Sequence, residues 1–584
     1  MRRHSSLFLI IGCVTLIAGV AGTFFLWYWP GSAPTSGDGT VEPEFVVIQL
    51  NDIYRIDAVQ DGKVGGLGRI ATLVRQLQQQ GKKVLILHAG DFLQPSLESS
   101  KFQGQQMVAA LNYLNGIAPL IAVPGNHEFD NESPKLLVDA INNSQFTWVG
   151  ANVALQYDKA TTADPNAAQQ LDAAKARMKT STELTIGHLR VGFVALTIVN
   201  AQGNGKDQDY APIDGNYESI AENKIKEFEQ KGMDLIIGLT HLNMSDDLKL
   251  AKLHRNHPRF LWIAGGHEHY WQRDKLTDSS ALITKGDSNA RSIWKVSIGR
   301  RNGAPVIEEE RLEIDDKLPV DAGYQRDIEE YYHAQLLRLI PQLDQPLIEV
   351  KQLTHNDKCL VATEDAVRNE ESNWGSFIVD QMRTAFPGAK PADIAFLNGG
   401  SLRIDDVVCG QLRFEQLERT FGYETRVVFV KLKGADIRNK ILSKVVASKF
   451  GDGSFLQVSG LQYRFNRQTN TLDNNVKIQT NKGLVNLNDK ATYTVATPEY
   501  LLNCGDGYHF RESITDIFPV LGPDVRLLVY DALVRTGAKE PAPRILELPP
   551  YLLNATVTNT KASWIKASGD FVDCNKKIRD VLPH

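Results

Sequence analysis

The chain has 584 residues, of which 42% are hydrophobic and 23% charged, and a formal net charge of −5. This length exceeds what one hydrophobic core supports and predicts about three or four domains, or two large ones. The composition is that of a globular protein, and the slightly acidic balance argues against binding to nucleic-acid polymers, which requires a basic surface.

The N-terminal segment is the exception to this composition, because residues 7–29 form an uninterrupted uncharged run. About 20 apolar residues suffice to cross a membrane as a helix, and the aromatic residues at 24–29 are typical of a membrane interface. We therefore expect a transmembrane anchor at 7–29. Arg2 and Arg3 place the N-terminus, residues 1–6, in the cytoplasm and the remainder outside it, in the periplasm or at the cell surface. A cleaved signal peptide is the alternative.

Residues 30–43 are rich in Pro, Gly and Ser and predict a linker. After this linker, short apolar runs typical of buried strands each lead into an acid, an Asn or a His. Between the first two runs, apolar residues recur at helical spacing, and strands alternating with helices predict an α/β domain. The runs span 45–50, 84–87, 120–123, 235–239 and 260–264. Polar residues just past strand ends lie where α/β proteins usually place their sites.

The domain that contains these runs is predicted to span residues 44–315. Residues 316–345 are charged and predict a connector, helical over Asp327 to Leu339. A second domain is expected at 346–550, where Gly-rich turns recur, and residues 551–584 form a tail without an interpretable pattern.

Four cysteines follow the predicted anchor, and all of them lie in the C-terminal half. In an oxidising compartment they permit two disulfides with three possible pairings. Their spacing does not match that of a zinc site. The four residues are Cys359, Cys409, Cys504 and Cys574.

The residues that follow the strand runs are of types that bind metals. Each alone is more often a turn former or a satisfied polar residue than a ligand. The segment GHEH at 266–269 is more informative, because residues two apart in an extended segment point the same way and both imidazoles can face one site. The interpretation as a metal site depends on the whole ordered set: Asp52, Asp91, Asn126, His127, His241, His267 and His269.

The motifs stand in the order NDIY (51–54), GD (90–91), GNHEFD (125–130), TH (240–241) and GHEH (266–269). In order, spacing and context this set resembles the calcineurin-like metallophosphatases, and its NHEFD variant is similar to that of the 5′-nucleotidases and UDP-sugar hydrolases. The resemblance implies an α/β (α+β) fold with an N-terminal four-layer αββα sandwich. It also implies two divalent metal ions, Zn²⁺, Mn²⁺ or similar, which oxygen and imidazole ligands suit.

The resemblance further assigns roles to the residues of the motifs. Asp91 is expected to bridge the two metals, which together activate a hydroxide for in-line attack on phosphorus. His127 is expected beside the phosphate, where it stabilises developing charge or protonates the leaving alkoxide, and Asp130 orients its imidazole. The remaining ligands are Asp52, the Tyr54 position and His269 at the first metal, and Asn126, His241 and His267 at the second.

Tyr54 departs from the family pattern, which usually has His at this position. A neutral phenol is a poor ligand, since its unperturbed pKa is about 10. Three interpretations remain open at this point: Tyr54 binds metal as a phenolate and shifts the metal preference, the first site loses a ligand and binds metal more weakly, or the site is inactive and the protein only binds nucleotides.

The C-terminal half contains segments that resemble the 5′-nucleotidase C-terminal domain. They are NGGSLR at 398–403, SGLQY at 459–463 and NCGDGY at 503–508, and RNEESNWG at 368–375 fits the opening helix of that domain. The domain resemblance therefore covers nearly all of residues 45–550 in the family's order.

This second resemblance assigns the substrate contacts. Arginine suits oxyanions because its planar guanidinium bonds them bidentately, and stacking between aromatic rings accepts several bases. Without the family context, Phe421 reads as a core aromatic residue and Arg368 as a surface ion-pair partner. The implied contacts are Arg368 and Arg403 to phosphate or carboxylate, Asn398 and Asp506 to the nucleoside, and Phe421 and Tyr500 on either side of the base. Cys504 departs from the family, which commonly has Gly there.

Together these features predict a phosphoric ester hydrolase that converts nucleoside 5′-phosphates to nucleoside and phosphate. UDP-sugar hydrolysis and 2′,3′-cyclic nucleotide phosphodiesterase activity are the enzymatic alternatives, and a weakly active nucleotide-binding protein is the alternative that Tyr54 motivates. The resemblance also implies that the C-terminal domain rotates on the connector to carry nucleotide to the metals.

Overall fold

The computed structural model describes residues 43–131, 133–156, 164–199, 210–353, 359–519 and 521–537, and a short strand at 565–566. The predicted anchor at 7–29, the cytoplasmic segment, nearly all of the linker and most of the tail lie outside the described residues. Within the described ranges, none of the helices is long and apolar enough to cross a membrane.

The N-terminal domain is built on two six-stranded sheets, and all five predicted strands are present. In the first sheet the four strands from Pro43–Leu50 onward run parallel. Its spatial order is Ala304–Glu313, Ser292–Arg301, Pro43–Leu50, Val84–His88, Leu120–Ala122 and Thr147–Trp148. The order of the second sheet is Thr182–Ile186, Leu189–Thr197, Leu235–His241, Phe260–Gly265, Leu282–Lys285 and Gln272–Asp274.

The two sheets pack face to face and are covered by helices on their outer faces. Along the first strand, Phe45 and Val47 pack into the core between the sheets, whereas Val46 and Ile48 pack against the outer helices. A strand buried on both faces requires a continuous apolar run, which explains why the runs do not alternate with polar residues. The outer helices are Leu67–Gln79, Gln105–Ile117, Lys135–Asn143 and Pro165–Arg177 on the first sheet, and Tyr217–Gln230 and Met244–Ala251 on the second. The short helix Leu97–Phe102 packs against the connector instead. The domain is therefore a four-layer αββα sandwich.

A helical connector joins the two domains. It runs through Ala322–Tyr324, Gln325–Glu330 and Tyr331–Leu339, and so begins a few residues before the predicted helix. The Tyr324 hydroxyl donates to the Ile56 carbonyl at 2.9 Å, while Leu336 packs against Leu97 and Phe414. The connector thus contacts apolar residues of both domains.

The C-terminal domain has a mixed sheet with apolar side chains buried on both faces. The order of its strands is Leu456–Ser459, Ile394–Asn398, Thr492–Pro498, Val427–Lys433, Asp516–Ile517 and Ile565–Lys566. Its helices are Glu364–Asn369, Asn373–Thr384, Phe414–Thr420, Gly434–Asp436, Ile437–Leu442, Ser443–Ala447, Glu499–Leu502 and Val525–Gly537. Smaller strand groups are Pro346–Glu349 with Gln411–Arg413, Cys359–Ala362 with Asp406–Cys409, Leu461–Gln462 with Lys477–Thr480 and Gly483–Asn486, and Phe465–Asn466 with Thr471–Leu472.

One disulfide selects among the three cysteine pairings that the sequence left open. Cys359 and Cys409 face each other across an antiparallel pair of strands and are bonded. Cys504 is also disulfide-bonded, and Cys574 lies outside the described residues. A disulfide in the described domain is typical of proteins from oxidising compartments.

Candidate metal centre and substrate cavity

The metal-binding motifs converge because parallel strands end at the same edge of each sheet. Asp52 and Asp91 follow the ends of Pro43–Leu50 and Val84–His88, and His241 is the last residue of Leu235–His241. The two sheets pack with these ends adjacent, so that His241 Nε2 lies 3.2 Å from Asp91 Oδ2 across the sandwich.

Glu128 fixes two of these loops to each other. Its buried carboxylate accepts hydrogen bonds from the backbone N–H groups of Asp91, Phe92 and Leu93 at 3.0, 2.8 and 2.9 Å, and also from that of Gly125. Glu128 lies within the GNHEFD motif, but the sequence analysis assigned it no role. Its role in the structure is to shape the backbone around Asp91.

The loops approach so closely that only glycine fits at two positions. A Cβ on Gly125 would lie 2.1 Å from Asp91 Oδ1, and a Cβ on Gly266 would lie 2.3 Å from the Ala89 carbonyl oxygen. Several site residues also adopt the left-handed conformation that L-residues rarely use, which is typical of functional sites. They are Asp52 at φ 53°, Asp91 at 57°, His267 at 92° and His269 at 64°.

The first group of donor atoms comes from Asp52, Asp91, His269 and Tyr54. Asp52, Asp91 and His269 offer ligand atoms that all lie within 4.8 Å of one another. His269 Nε2 is 3.5 Å from Asp52 Oδ1. The Tyr54 hydroxyl lies 2.9 Å from His269 Nε2 and 3.2 Å from Asp91 Oδ2. The Tyr54 oxygen therefore lies within hydrogen-bond distance of two of these donor atoms.

The second group comprises Asn126, His241 and His267, together with Asp91. Asn126 Oδ1 lies 3.1 Å from both His241 Nε2 and His267 Nδ1. The hydrogen bond between His241 Nδ1 and the Ala89 carbonyl, at 2.7 Å, leaves Nε2 as the nitrogen that faces Asp91. Such bonds to the second ring nitrogen orient metal-binding imidazoles.

The donor set fits a divalent metal ion. Asp52 Oδ1 is buried and has no hydrogen-bond partner among the described residues, although buried polar atoms are normally satisfied. A cation between Asp52 and Asp91 would satisfy this oxygen and offset the two adjacent negative charges. Burial raises the pKa of the Tyr54 phenol well above its usual value, and Asp91 and Asp52 raise it further, whereas Arg403 lowers it. A cation bound beside Asp52 and Asp91 would also favour the phenolate.

Glu364 of the C-terminal domain orients a ligand of the first group. Its Oε1 lies 2.5 Å from His269 Nδ1, and Arg368 lies 2.5 Å from the same oxygen. Glu364 is fixed in turn by Ser288, whose hydroxyl donates to its other oxygen, and by a 2.9 Å bond from its backbone N–H to Asp405. The candidate metal centre therefore contacts a carboxylate from outside the N-terminal domain, which no motif in the sequence indicated.

Replacing Glu364 by glutamine is expected to weaken metal binding by about 10- to 100-fold, the usual effect of losing a partner of a metal-binding imidazole. The change would be measured as the metal dissociation constant in competition with a chelating dye. Asp365→Asn is the matched control, because Asp365 bonds Arg291 across the domains at 3.0 Å without contacting His269. Equal affinities in Glu364→Gln and the native protein would contradict this role.

His127 and Asp130 form a pair beside the donor groups. His127 Nδ1 lies 2.7 Å from Asp130 Oδ2, whereas Nε2 lies 3.9 Å from Asp91 Oδ2. Burial disfavours the charged imidazole, but the carboxylates of Asp130 and Asp91 outweigh burial and raise the pKa of His127 above its usual value. The pair therefore has the arrangement of a proton donor held by a carboxylate.

A cavity of about 790 Å³ connects the donor groups to the C-terminal domain. Its wall on the metal side includes Asp91, Asn126, His127, Asp130, His267 and His269. Five of the six substrate contacts that the sequence analysis assigned line a second wall formed by the C-terminal domain, namely Arg368, Asn398, Arg403, Tyr500 and Asp506.

Some polar side chains on this second wall are hydrogen-bonded to one another, and others have nitrogens that could bind a ligand. The Asp506 carboxylate accepts hydrogen bonds from Asn398 at 2.8 Å and from Tyr500 at 2.7 Å. Two nitrogens of the Arg403 guanidinium, Nε and Nη1, are buried and have no hydrogen-bond partner among the described residues. Unpaired guanidinium nitrogens beside a cavity are suited to binding an oxyanion.

The structure does not bring Phe421 to the cavity. Phe421 is 2% exposed and packs in the C-terminal core, whereas the resemblance assigned its ring to a contact with the base. The aromatic residues that line the cavity are Tyr270, Tyr423, Phe450 and Tyr500. Phe450 is 51% exposed and packs edge-on against Tyr270, with 5.7 Å between the ring centroids. Tyr500 is therefore joined in the cavity lining by three aromatic residues that the sequence analysis did not identify.

Comparisons with known proteins agree with this arrangement of domains. Residues 45–271 match the calcineurin-like phosphoesterase family model, and residues 350–512 match that of the 5′-nucleotidase C-terminal domain. A trifunctional nucleotide phosphoesterase from Bacillus subtilis is 24% identical over 474 residues, which cover 75% of this chain but 31% of that protein. A snake venom 5′-nucleotidase from Crotalus adamanteus is 22% identical over 552 residues, covering 85% of this chain and 87% of the relative.

Among solved structures, the crystal structure of a 5′-nucleotidase precursor from Thermus thermophilus superimposes with a TM-score of 0.66 at 23% identity. The match covers 84% of this chain and 96% of that chain. The two proteins thus share a fold over both domains.

Proposed function

Because the chain belongs to the family in which a calcineurin-like phosphoesterase domain precedes a 5′-nucleotidase C-terminal domain, we propose that it hydrolyses nucleoside 5′-phosphates to nucleoside and phosphate. One observation carries the proposal. A single cavity has metal-binding donors on one wall and Arg403, with unpaired buried guanidinium nitrogens, on the other. A phosphate ester held by Arg403 would lie with its phosphorus toward those donors.

The proposed cofactors are two divalent metal ions. Asp52, Tyr54 and His269 would hold one, and Asn126, His241 and His267 the other, with Asp91 between them. When bound, such ions polarise phosphoryl oxygens and lower the pKa of a water that serves as nucleophile.

The side chains of the chain itself supply positioning and proton transfer. Arg403, and Arg368 on the same wall, would bind the phosphate oxygens and lessen the negative charge that opposes attack. His127 would give a proton from Nε2 to the departing ribose oxygen, since Nδ1 is held by Asp130 at 2.7 Å. Asn398 and Asp506, bonded to each other at 2.8 Å, would recognise the nucleoside.

The decisive test is phosphate release from AMP by the purified full-length protein. The protein is stripped with a chelator and then supplied with Mn²⁺, Zn²⁺, Co²⁺ or Mg²⁺, and Tyr54→His is assayed in parallel. We expect metal-dependent turnover by the native protein and an altered order of metal preference in Tyr54→His, because phenolate and imidazole differ in their preference for metals.

A panel of UDP-sugars and 2′,3′-cyclic nucleotides tests the two enzymatic alternatives in the same assay. Tight AMP binding without turnover, with activity restored only by Tyr54→His, would contradict the proposed function and leave a nucleotide-binding protein.

We also propose an extracytoplasmic location with an N-terminal membrane anchor at 7–29. The apolar run, the preceding arginines and the Cys359–Cys409 disulfide support this location. Protease accessibility of the C-terminal domain in intact spheroplasts or cells would test it.

A further inference from the structure

Tyr423 of the C-terminal domain reaches the His127–Asp130 pair of the N-terminal domain. Its hydroxyl donates to Asp130 Oδ2 at 2.6 Å and lies 3.0 Å from His127 Nδ1. The ring is 36% exposed and stands beside Arg403, whose guanidinium carbon is 5.9 Å from the ring centroid. Neither its position in the sequence nor a motif around it indicated this contact.

The hydrogen-bond directions determine which nitrogen of His127 is free. The only proton of the Tyr423 hydroxyl is donated to Asp130, so the contact between this hydroxyl and His127 requires that Nδ1 carry a hydrogen. Nδ1–H is then directed at Asp130 and Tyr423, and Nε2 is left facing the cavity. The imidazole is therefore held by one group from each domain.

Tyr423 also limits the freedom of Asp130. Asp130 Oδ2 accepts from both Tyr423 and His127, so removing the hydroxyl would leave the carboxylate with fewer fixed partners. A carboxylate that is free to rotate holds an imidazole less well, and correct alignment of a general acid is a large part of its effect.

We infer that Tyr423 is a positioning residue for proton transfer: the C-terminal domain completes the His127–Asp130 pair when it contacts the N-terminal domain. The inference rests on the proposed hydrolysis of nucleoside 5′-phosphates. With this role for Tyr423, the orientation of the proton donor depends on contact between the two domains. Among the candidate metal ligands, His269 also contacts the C-terminal domain, through Glu364.

The test compares two substrates of the full-length protein, AMP and p-nitrophenyl phosphate. The ribose alkoxide of AMP needs a proton as it leaves, whereas p-nitrophenolate leaves readily without one. Tyr423→Phe is expected to lower kcat for AMP by about 10-fold, the usual scale for a hydrogen bond to a charged group, and to change kcat for p-nitrophenyl phosphate little.

Tyr113→Phe is the matched control, because Tyr113 donates to Asp321 of the connector at the same distance, 2.6 Å, away from the cavity. This variant should leave both rates unchanged. Equal losses on both substrates in Tyr423→Phe would overturn the inference and indicate a structural role, and so would an unchanged rate with AMP. Failure of the proposed function is distinguishable, since the native protein would then release no phosphate from AMP.

Discussion

Replacing Asp91 by asparagine is expected to abolish metal-dependent phosphate release and to reduce the number of bound metal ions. Asp91 lies in both donor groups, 3.2 Å from the Tyr54 hydroxyl and 3.2 Å from His241 Nε2. We therefore expect its negative charge to contribute to metal binding by both groups. We expect kcat for AMP to fall about 10³-fold or more, because metal charge stabilisation is worth several kcal/mol and about 1.4 kcal/mol corresponds to tenfold.

Metal content and thermal unfolding separate this loss from unfolding of the domain. Metal that binds only the folded state raises its stability, so chelation should lower the melting temperature of the native protein by more than that of Asp91→Asn. Asp139→Asn, which removes a surface ion pair with Lys135, is the control and should behave as the native protein. Two bound metals and full turnover in Asp91→Asn would contradict the role of Asp91.

The strands and loops that carry the candidate metal ligands were predictable because their signals are local. The apolar runs that precede Asp52 and His241 are continuous because both faces of each sheet are buried. The polar residue at the end of each run then lies at the edge of its sheet, and the edges of the two sheets meet, which brings Asp52 and Asp91 of the first sheet to His241 of the second. Tyr54 was noticed because it departs from a short motif, and the structure places its hydroxyl among the donor atoms.

Contacts between the domains could not be predicted in this way. Glu364 lies 95 residues from His269 in sequence and Tyr423 lies 293 residues from Asp130, and both contacts depend on how the two domains pack. Phe421 shows the opposite case: its motif position indicated a base contact, but the helix Phe414–Thr420 that precedes it directs the ring into the apolar core.

Replacing His127 by alanine is expected to lower kcat for AMP by about 10² to 10⁴-fold, the range for loss of a general acid. The loss should be much smaller with p-nitrophenyl phosphate, whose leaving group needs no proton. Asp130→Asn should change the rates in the same direction by less, because the amide keeps a contact to Nδ1 but loses the negative charge that favours the imidazolium. Phosphate release from both substrates, measured across the pH range, checks these expectations.

The ratio of the two losses decides between the two roles that His127 can have. A group that stabilises charge on the phosphoryl oxygens acts on every ester, so it would slow both substrates equally. A proton donor slows AMP selectively. The structure favours proton donation because Nδ1 is held by Asp130 and Tyr423 and Nε2 lies 3.9 Å from Asp91, beside the donor groups where the ester oxygen must depart. Equal losses would instead assign His127 to charge stabilisation, and Tyr423 would then have no proton donor to position.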